Sequence, residues 1–329
     1  MTSRFPFHQY ARATQHFASA RALEVLALQA SPFLGAVVGG IGGGWIGLGR
    51  LAFLLAGSLA LTAHVFVFND WAGRSSDVND PRRCTRVFGL LGIDSRQVAG
   101  LSVALLVAAT FALAMIGVSA VLLGAAIAAL SLLYSCSPLF GKGTPIVASL
   151  IHLVGGTLHF LLGYTVFHSV DARGVAIGIF FGLIFAGGHL NQEVRDHDGD
   201  SRNEIRTNAV VFGCRRTFVA SLLVFTTAYV VLAWLALLEF VPRPLLWCLL
   251  LWPWHFAWSV QAFRHGLGFE AARWMQRRYR VLFAILGLAM LLTALPIAEL
   301  GQRSFHDVQL RASRGSLDAT PNEPVVLLR

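Results

Sequence analysis

Nine or so apolar runs dominate this chain, near residues 22–48, 51–70, 98–117, 118–135, 145–168, 173–192, 216–238, 244–262 and 279–300. A helix of roughly 20 residues crosses the ~30 Å hydrocarbon core of a bilayer. In that solvent every backbone polar group must find its partner within the chain, which leaves helices or closed barrels. None of the runs alternates with the period of a strand, so a barrel is excluded. The expected fold is all-α: a polytopic membrane bundle of about nine transmembrane helices around a central cavity. The third and fourth runs abut, which predicts a tight helical hairpin.

Composition agrees. The chain is 56% hydrophobic and 13% charged, against roughly 25% charged in an ordinary soluble domain, and its mean hydropathy is +0.64. A disordered or collagen-like chain and a typical soluble enzyme are excluded. Cys84, Cys136, Cys214 and Cys248 are far apart and form no CxxC pair, so they read as free thiols. The first run is too long for a secretory signal and reads as a retained helix. Within it Gly35, Gly39, Gly43 and Gly47 make a stripe for close helix packing. No Gly-Lys-Ser/Thr follows, so it is not a phosphate loop. Residues 1–20 form an N-terminal segment, with an amphipathic surface helix one reading of 5–20. Residues 21–300 form the membrane domain. Residues 301–329 are polar, carry Pro321 and Pro324, and read as a flexible tail.

The net charge is +9. With the N-terminus in the cytoplasm, 19 of the 26 basic residues fall on the cytoplasmic side. Arg4, Arg12 and Arg21 come first, then five arginines between runs two and three, Lys142, five between runs six and seven, and five before run nine. This bias sets the orientation. It also accounts for the charge without nucleic acid, which is not an expected partner. The setting is that of a multi-pass protein of a bacterial or archaeal cell membrane.

Seven of the 17 acidic residues lie in two short windows. Asp70, Asp77 and Asp80 form one, and Glu193, Asp196, Asp198 and Asp200 the other. Each window continues an apolar run at its cytoplasmic end. Alone, such acids make a solvated rim; together, on one side of the membrane, they can face each other across a cavity. Glu193, Asp196 and Asp200 share a helical face, as do Asn69 and Asp77. Carboxylates and an amide, without histidine or cysteine at ligand spacing, suit Mg2+. Arginines follow both windows. Acid, metal and arginine together hold a diphosphate, and an apolar cavity below would hold a hydrocarbon tail.

These residues resemble the UbiA-type family of intramembrane prenyltransferases. Asn69-Asp70-Trp71-Ala72-Gly73-Arg74-Ser75-Ser76-Asp77 resembles the family's first motif, NDxxDxxxD. Glu193-Val194-Arg195-Asp196-His197-Asp198-Gly199-Asp200 resembles its second, DxxDxxxD. Ile205-Arg206-Thr207 and Val211-Phe212-Gly213 resemble the tract after it, and Tyr134 to Lys142 the tyrosine–proline–lysine loop. Lys142 also stands out unaided, as the only lysine of the chain. The resemblance spans about residues 20–300.

It implies Mg2+ held by Asn69, Asp77, Asp196 and Asp200, with Asp70 and Glu193 as further candidate ligands. Lys142, Arg82, Arg83, Arg86 and Arg206 would bind the diphosphate, and Tyr134 would face the allylic cation. The implied catalytic set is Asp77, Asp196, Asp200, Lys142 and Tyr134. The implied partners are a prenyl diphosphate or polyprenyl phosphate, a small-molecule acceptor and the bilayer.

Departures leave alternatives open. Gly73 stands where the family has its middle acid, and Asp70 or Asp80 could substitute for it. Pro81 and the arginines after it resemble members that use phosphoribosyl diphosphate with a polyprenyl phosphate, although Val87 replaces the usual proline. A non-catalytic or transport scaffold is the rival that Gly73 favours, but no inverted repeat appears. The tract typical of alcohol phosphatidyltransferases is absent. His152, His159 and His189 lie in apolar runs, where a histidine either bonds a neighbouring helix or serves function.

Overall fold

The computed structural model describes residues 6–41, 44–77, 93–137 and 139–294. Residues 78–92, with Asp80, Cys84, Arg82, Arg83 and Arg86, lie outside the described part, as does the 301–329 tail.

All regular structure among the described residues is helical. The elements are α1 (Pro6–Leu28), α2 (Ala30–Val38), α3 (Gly44–Ala72), α4 (Arg74–Asp77), α5 (Ser95–Ala114), α6 (Val118–Cys136), α7 (Val147–Tyr164), α8 (Ala172–Arg202), α9 (Asn208–Phe212), α10 (Cys214–Leu237), α11 (Leu251–Arg264) and α12 (Phe269–Ala294), with a 3-10 helix at Arg243–Leu250. Among the described residues, seven helical segments are long and apolar enough to cross a membrane. The eighth apolar run is split between the 3-10 helix and the short α11. The ninth starts ten residues early, at Phe269, on a turn that carries Glu270, with Arg273, Arg277, Arg278 and Arg280 in the turns that follow. Phe111, Leu122, Leu223 and Trp234 point outward and are exposed, as expected of side chains that meet lipid rather than water.

The first two runs divide differently from their expected limits. The helix interrupts at Gln29, and α3 already begins at Gly44. Arg50 therefore lies inside a helix rather than between two. Its guanidinium donates to the carbonyls of Val166 at 3.1 Å and Ile116 at 3.4 Å, tying together the loops at one end of the bundle. The α5–α6 hairpin forms as expected, turning at Gly117 with φ 148.

Small residues set the closest approaches. A Cβ on Gly35 would strike the Phe160 carbonyl, and one on Gly163 the Pro32 carbonyl, so α2 and α7 meet backbone to backbone. Packing runs from α3 to α5 and α6, from α6 to α7, and from α7 to α8 and α2. From α8 it continues to α10 and α12, and α12 returns to α2. Phe160, Tyr164, Phe180, Tyr229 and Leu286 fill the interior of that circuit.

At its start α8 is capped by Asp171, whose carboxylate accepts the Gly174 N–H at 2.7 Å and the Tyr164 hydroxyl at 3.1 Å. The Gly174 bond is the main reason its carboxyl titrates below the ordinary carboxylate range. From there α8 runs 31 residues, about 46 Å at 1.5 Å per residue. That exceeds the hydrocarbon core, so its last turns stand beyond the apolar layer, and those turns carry Glu193, Asp196 and Asp200.

Candidate active site

The C-terminal ends of α3, α6 and α8 and the N-terminal end of α7 meet at one end of the bundle. The segment between α6 and α7 organises this end. The Lys142 N–H donates to the Tyr134 carbonyl at 2.8 Å, closing the loop on itself. The Ser137 hydroxyl oxygen accepts from the Phe140 N–H at 3.1 Å. A Cβ at Gly141 would strike the Ser137 carbonyl, so the turn needs glycine there. Lys142 is thereby aimed at α8, with Nζ 3.3 Å from Oδ1 of Asp200. That carboxylate is 3% exposed; a buried charge of this kind requires a counter-charge.

The first motif is reached from the last turn of α6, one residue after Tyr134. Asn69 Nδ2 donates to the Ser135 hydroxyl at 3.3 Å. Residues 134–142 thus touch both acidic windows, one through Ser135 and one through Lys142. Asp70 is engaged elsewhere: its Oδ1 accepts from Arg21 of α1 at 2.9 Å. The helix ends at Ala72, Gly73 forms a turn, and Asp77 closes the four-residue α4. Asp77 is described in its backbone only.

On α8, Asp196 receives both Nε and Nη2 of Arg195 at 2.8 Å, and Arg195 reaches on to Gln276 of α12 at 2.8 Å. Glu193 is held through one oxygen, and the other is buried beside a histidine nitrogen without hydrogen-bond geometry. Oε2 accepts the Asn208 N–H at 3.0 Å, and Oε1 lies 3.0 Å from His189 Nε2. The Asn208 side chain in turn accepts the Ile146 N–H at 2.8 Å and donates to Ser149 at 3.2 Å. Every candidate ligand whose side chain is described is thus engaged: Asn69 with Ser135, Asp70 with Arg21, Glu193 with Asn208, Asp196 with Arg195 and Asp200 with Lys142. Arg206 is exposed, with its backbone beside Gly143.

Below the carboxylates lies a ring cluster. His152 stacks on His189 with centroids 3.7 Å apart and planes at 8°. Tyr134 meets His152 edge-on at 5.0 Å and His189 at 6.0 Å. His159 is of the other kind: buried, it bonds Ser58 of α3 at 3.0 Å. Sequence reasoning singled out Tyr134, Lys142 and Asp200 but missed Ser135 and Asn208, whose roles depend on contacts across helices. For Asn208 the one local signal was its position opening a short helix after the second motif.

No three acidic, histidine or cysteine side chains gather into a ready metal cage among the described residues. The donors at this end, the carboxylates of Asp196 and Asp200 and the amide oxygen of Asn69, are all hard oxygens, and that chemistry fits Mg2+.

The fold and this acidic end define a class: helical membrane proteins with a polar site where two helices leave the apolar layer. The chain belongs to the UbiA prenyltransferase family, whose pattern matches residues 30–286. Its fold is that of a UbiA homolog from Archaeoglobus fulgidus bound to GPP and Mg2+, at 17% identity and a TM-score of 0.63, covering 86% of this chain and 100% of that one. A structure of digeranylgeranylglyceryl phosphate synthase is similar at 15% identity and a TM-score of 0.63, covering 87% and 100%. A UbiA homolog from Aeropyrum pernix K1 is similar at 16% identity and a TM-score of 0.63, covering 80% and 97%. No curated protein sequence matches the chain.

Proposed function

We propose that this protein is a Mg2+-dependent prenyltransferase, moving an isoprenoid group from a prenyl diphosphate to an acceptor, with its N-terminus in the cytoplasm. The observation that carries this reading is the Lys142–Asp200 pair. It sets a cation and a buried carboxylate together at the mouth of an apolar bundle, where a diphosphate head would meet its hydrocarbon tail. The arginine bias of the loops supports the orientation. The family supports the reaction type, and the A. fulgidus homolog supports the donor class.

In this reading Asn69, Asp77, Asp196 and Asp200 would hold the metal, and Asp70 and Glu193 brace the elements around it. Mg2+ when bound supplies charge neutralisation at the diphosphate. Lys142 faces the leaving group and stabilises the charge that grows as the allylic C–O bond breaks. Arg206 and the arginines Arg82, Arg83 and Arg86 hold the outer phosphate oxygens. Tyr134, deeper than Lys142, turns toward the developing cation. The tail lies among apolar side chains, where its burial gains little over lipid, so tunnel shape selects its length.

The test is diphosphate release from geranylgeranyl diphosphate by membranes that carry the protein, with Mg2+ or EDTA, beside Asp196→Ala. Release that requires both the metal and Asp196 is expected. If none occurs, and phosphoribosyl diphosphate with a polyprenyl phosphate is also inert, the chain is a binding or transport scaffold and the proposal is wrong.

A further inference from the structure

Asp196 is paired with a residue that a helix does not place beside it. Neighbours in an α-helix project about 100° apart and do not face each other. Arg195 nevertheless lays its fork on Asp196, with Nε on Oδ1 and Nη2 on Oδ2, both at 2.8 Å. To do so the side chain must fold back across the surface of α8. Its third nitrogen keeps it there: Nη1 donates to Gln276 Oε1 of α12 at 2.8 Å. A long side chain held in one conformation loses rotamer freedom, and the contact with Gln276 offsets that loss from the far side of the guanidinium plane.

Gln276 is itself fixed. It is 3% exposed, and it lies in the turns of α12 that precede the expected start of the ninth apolar run. One turn on, Tyr279 stands close against α8, where a Cβ on Gly188 would lie 3.4 Å from its hydroxyl. Two successive turns of α12 therefore meet α8, and the polar one leads through Arg195 to Asp196. A bidentate fork fixes the plane of a carboxylate as well as its place. Each oxygen gives one lone pair to the guanidinium and keeps another. The direction of those remaining lone pairs is then set by Arg195, and the position of Arg195 by α12. Side chains that orient a metal ligand from behind change metal affinity by about 10–100-fold.

We infer that Arg195 and Gln276 are positioning residues of the metal site: α12 orients the Asp196 carboxylate and, through it, tunes the affinity for the divalent cation. The inference rests on the reading of Asp196 as a ligand given above. Gln276 lies outside both acidic motifs and acts only through Arg195. A guanidinium that instead competed with the cation for Asp196 would act with the opposite sign, so the direction of the effect separates the two roles.

The measurement is Mn2+ binding to the full chain in lipid nanodiscs, read from the electron paramagnetic resonance signal of the free ion, with no substrate and no turnover. Mn2+ takes the same hard oxygen ligands as Mg2+. Gln276→Leu removes the acceptor and is expected to weaken binding about 10-fold. Gln276→Glu keeps an acceptor oxygen and is expected to retain binding; an equal loss in both variants overturns the proposal. In an Arg195→Leu background, already weakened, Gln276→Leu should add no further loss, because the two act through one contact. Additive losses overturn the proposal. A role confined to docking α12 on α8 would lower Tm and leave Mn2+ affinity unchanged, which overturns it as well. So does tighter binding in Gln276→Leu, which would make Arg195 a competitor of the metal. A wild type that binds no Mn2+, or an Asp196→Ala variant that binds it as tightly, defeats the ligand reading beneath, and the proposal falls with it. If Gln276→Leu does not fold, Arg195→Lys decides. It keeps the charge without the fork, so weaker binding is expected and an unchanged affinity overturns the proposal.

Discussion

The two acidic windows are built on different principles. The second lies on one unbroken helix, α8, and its carboxylates are joined to the 137–146 loop, to α9 and, through Arg195, to α12. The first lies where α3 stops, at a glycine turn followed by four residues of helix. Its contacts run to α1 through Asp70, to α5 through the Trp71 indole on Ser95 at 3.0 Å, and to α6 through Asn69. The first window is thus tied to the N-terminal half of the chain, whereas the second gathers both halves. Alignment between them falls to residues 134–142, and a site made from two helix ends depends on such a bridge as much as on its own acids.

Several substitutions would break or sharpen this contrast. Asp200→Ala removes both a proposed ligand and the partner of Lys142, and should lower Mg2+-dependent diphosphate release by about 10²–10³-fold, the scale of a lost transition-state contact. Lys142→Ala cuts the bridge from the other side; we expect a loss on the order of 10²-fold in the same assay. If both were harmless while Asn69→Ala was severe, the first window would be the dominant one. Glu193→Ala leaves the Asn208 N–H without its buried acceptor. It should reduce stability by about 1–3 kcal/mol, seen as a lower Tm in detergent, whereas Asp70→Ala should shift Tm less because Arg21 keeps Glu24 at 2.9 Å. Gly73→Asp restores the missing acid of the first window and should lower the Mg2+ concentration for half-maximal release by a few-fold; a rise would mean that the turn itself is required. The smallest effect is expected of Ser135→Ala, about 0.5–1.5 kcal/mol for one hydrogen bond, read as a small fall in Tm.

The helices and the placement of the second window were legible in the sequence because both follow from local periodicity. Apolar length gave the spans, and three- and four-residue spacing put Glu193, Asp196 and Asp200 on one face. The division near Gln29 had a local signal that the apolar length hid: Pro32 lacks the N–H that would bond the Leu28 carbonyl, so the helix is interrupted just before it. Nor could spacing separate the proposed metal ligands from the proposed braces. Glu193 and Asp200 look alike in the motif; their difference comes from Asn208 and His189 on one side and from Lys142 on the other. His189 preceding Glu193 by four residues did mark that pair as neighbours, but its stacking on His152 required α7.

The solitary lysine has a practical consequence. Apart from its amino terminus the chain bears one primary amine, so an amine-directed tag or a lysine-specific protease addresses a single internal point. Cutting after Lys142 would divide α1–α6 from α7–α12 at the bridge itself. The rate of that reaction would report, without any turnover, whether an anion occupies the mouth of the bundle.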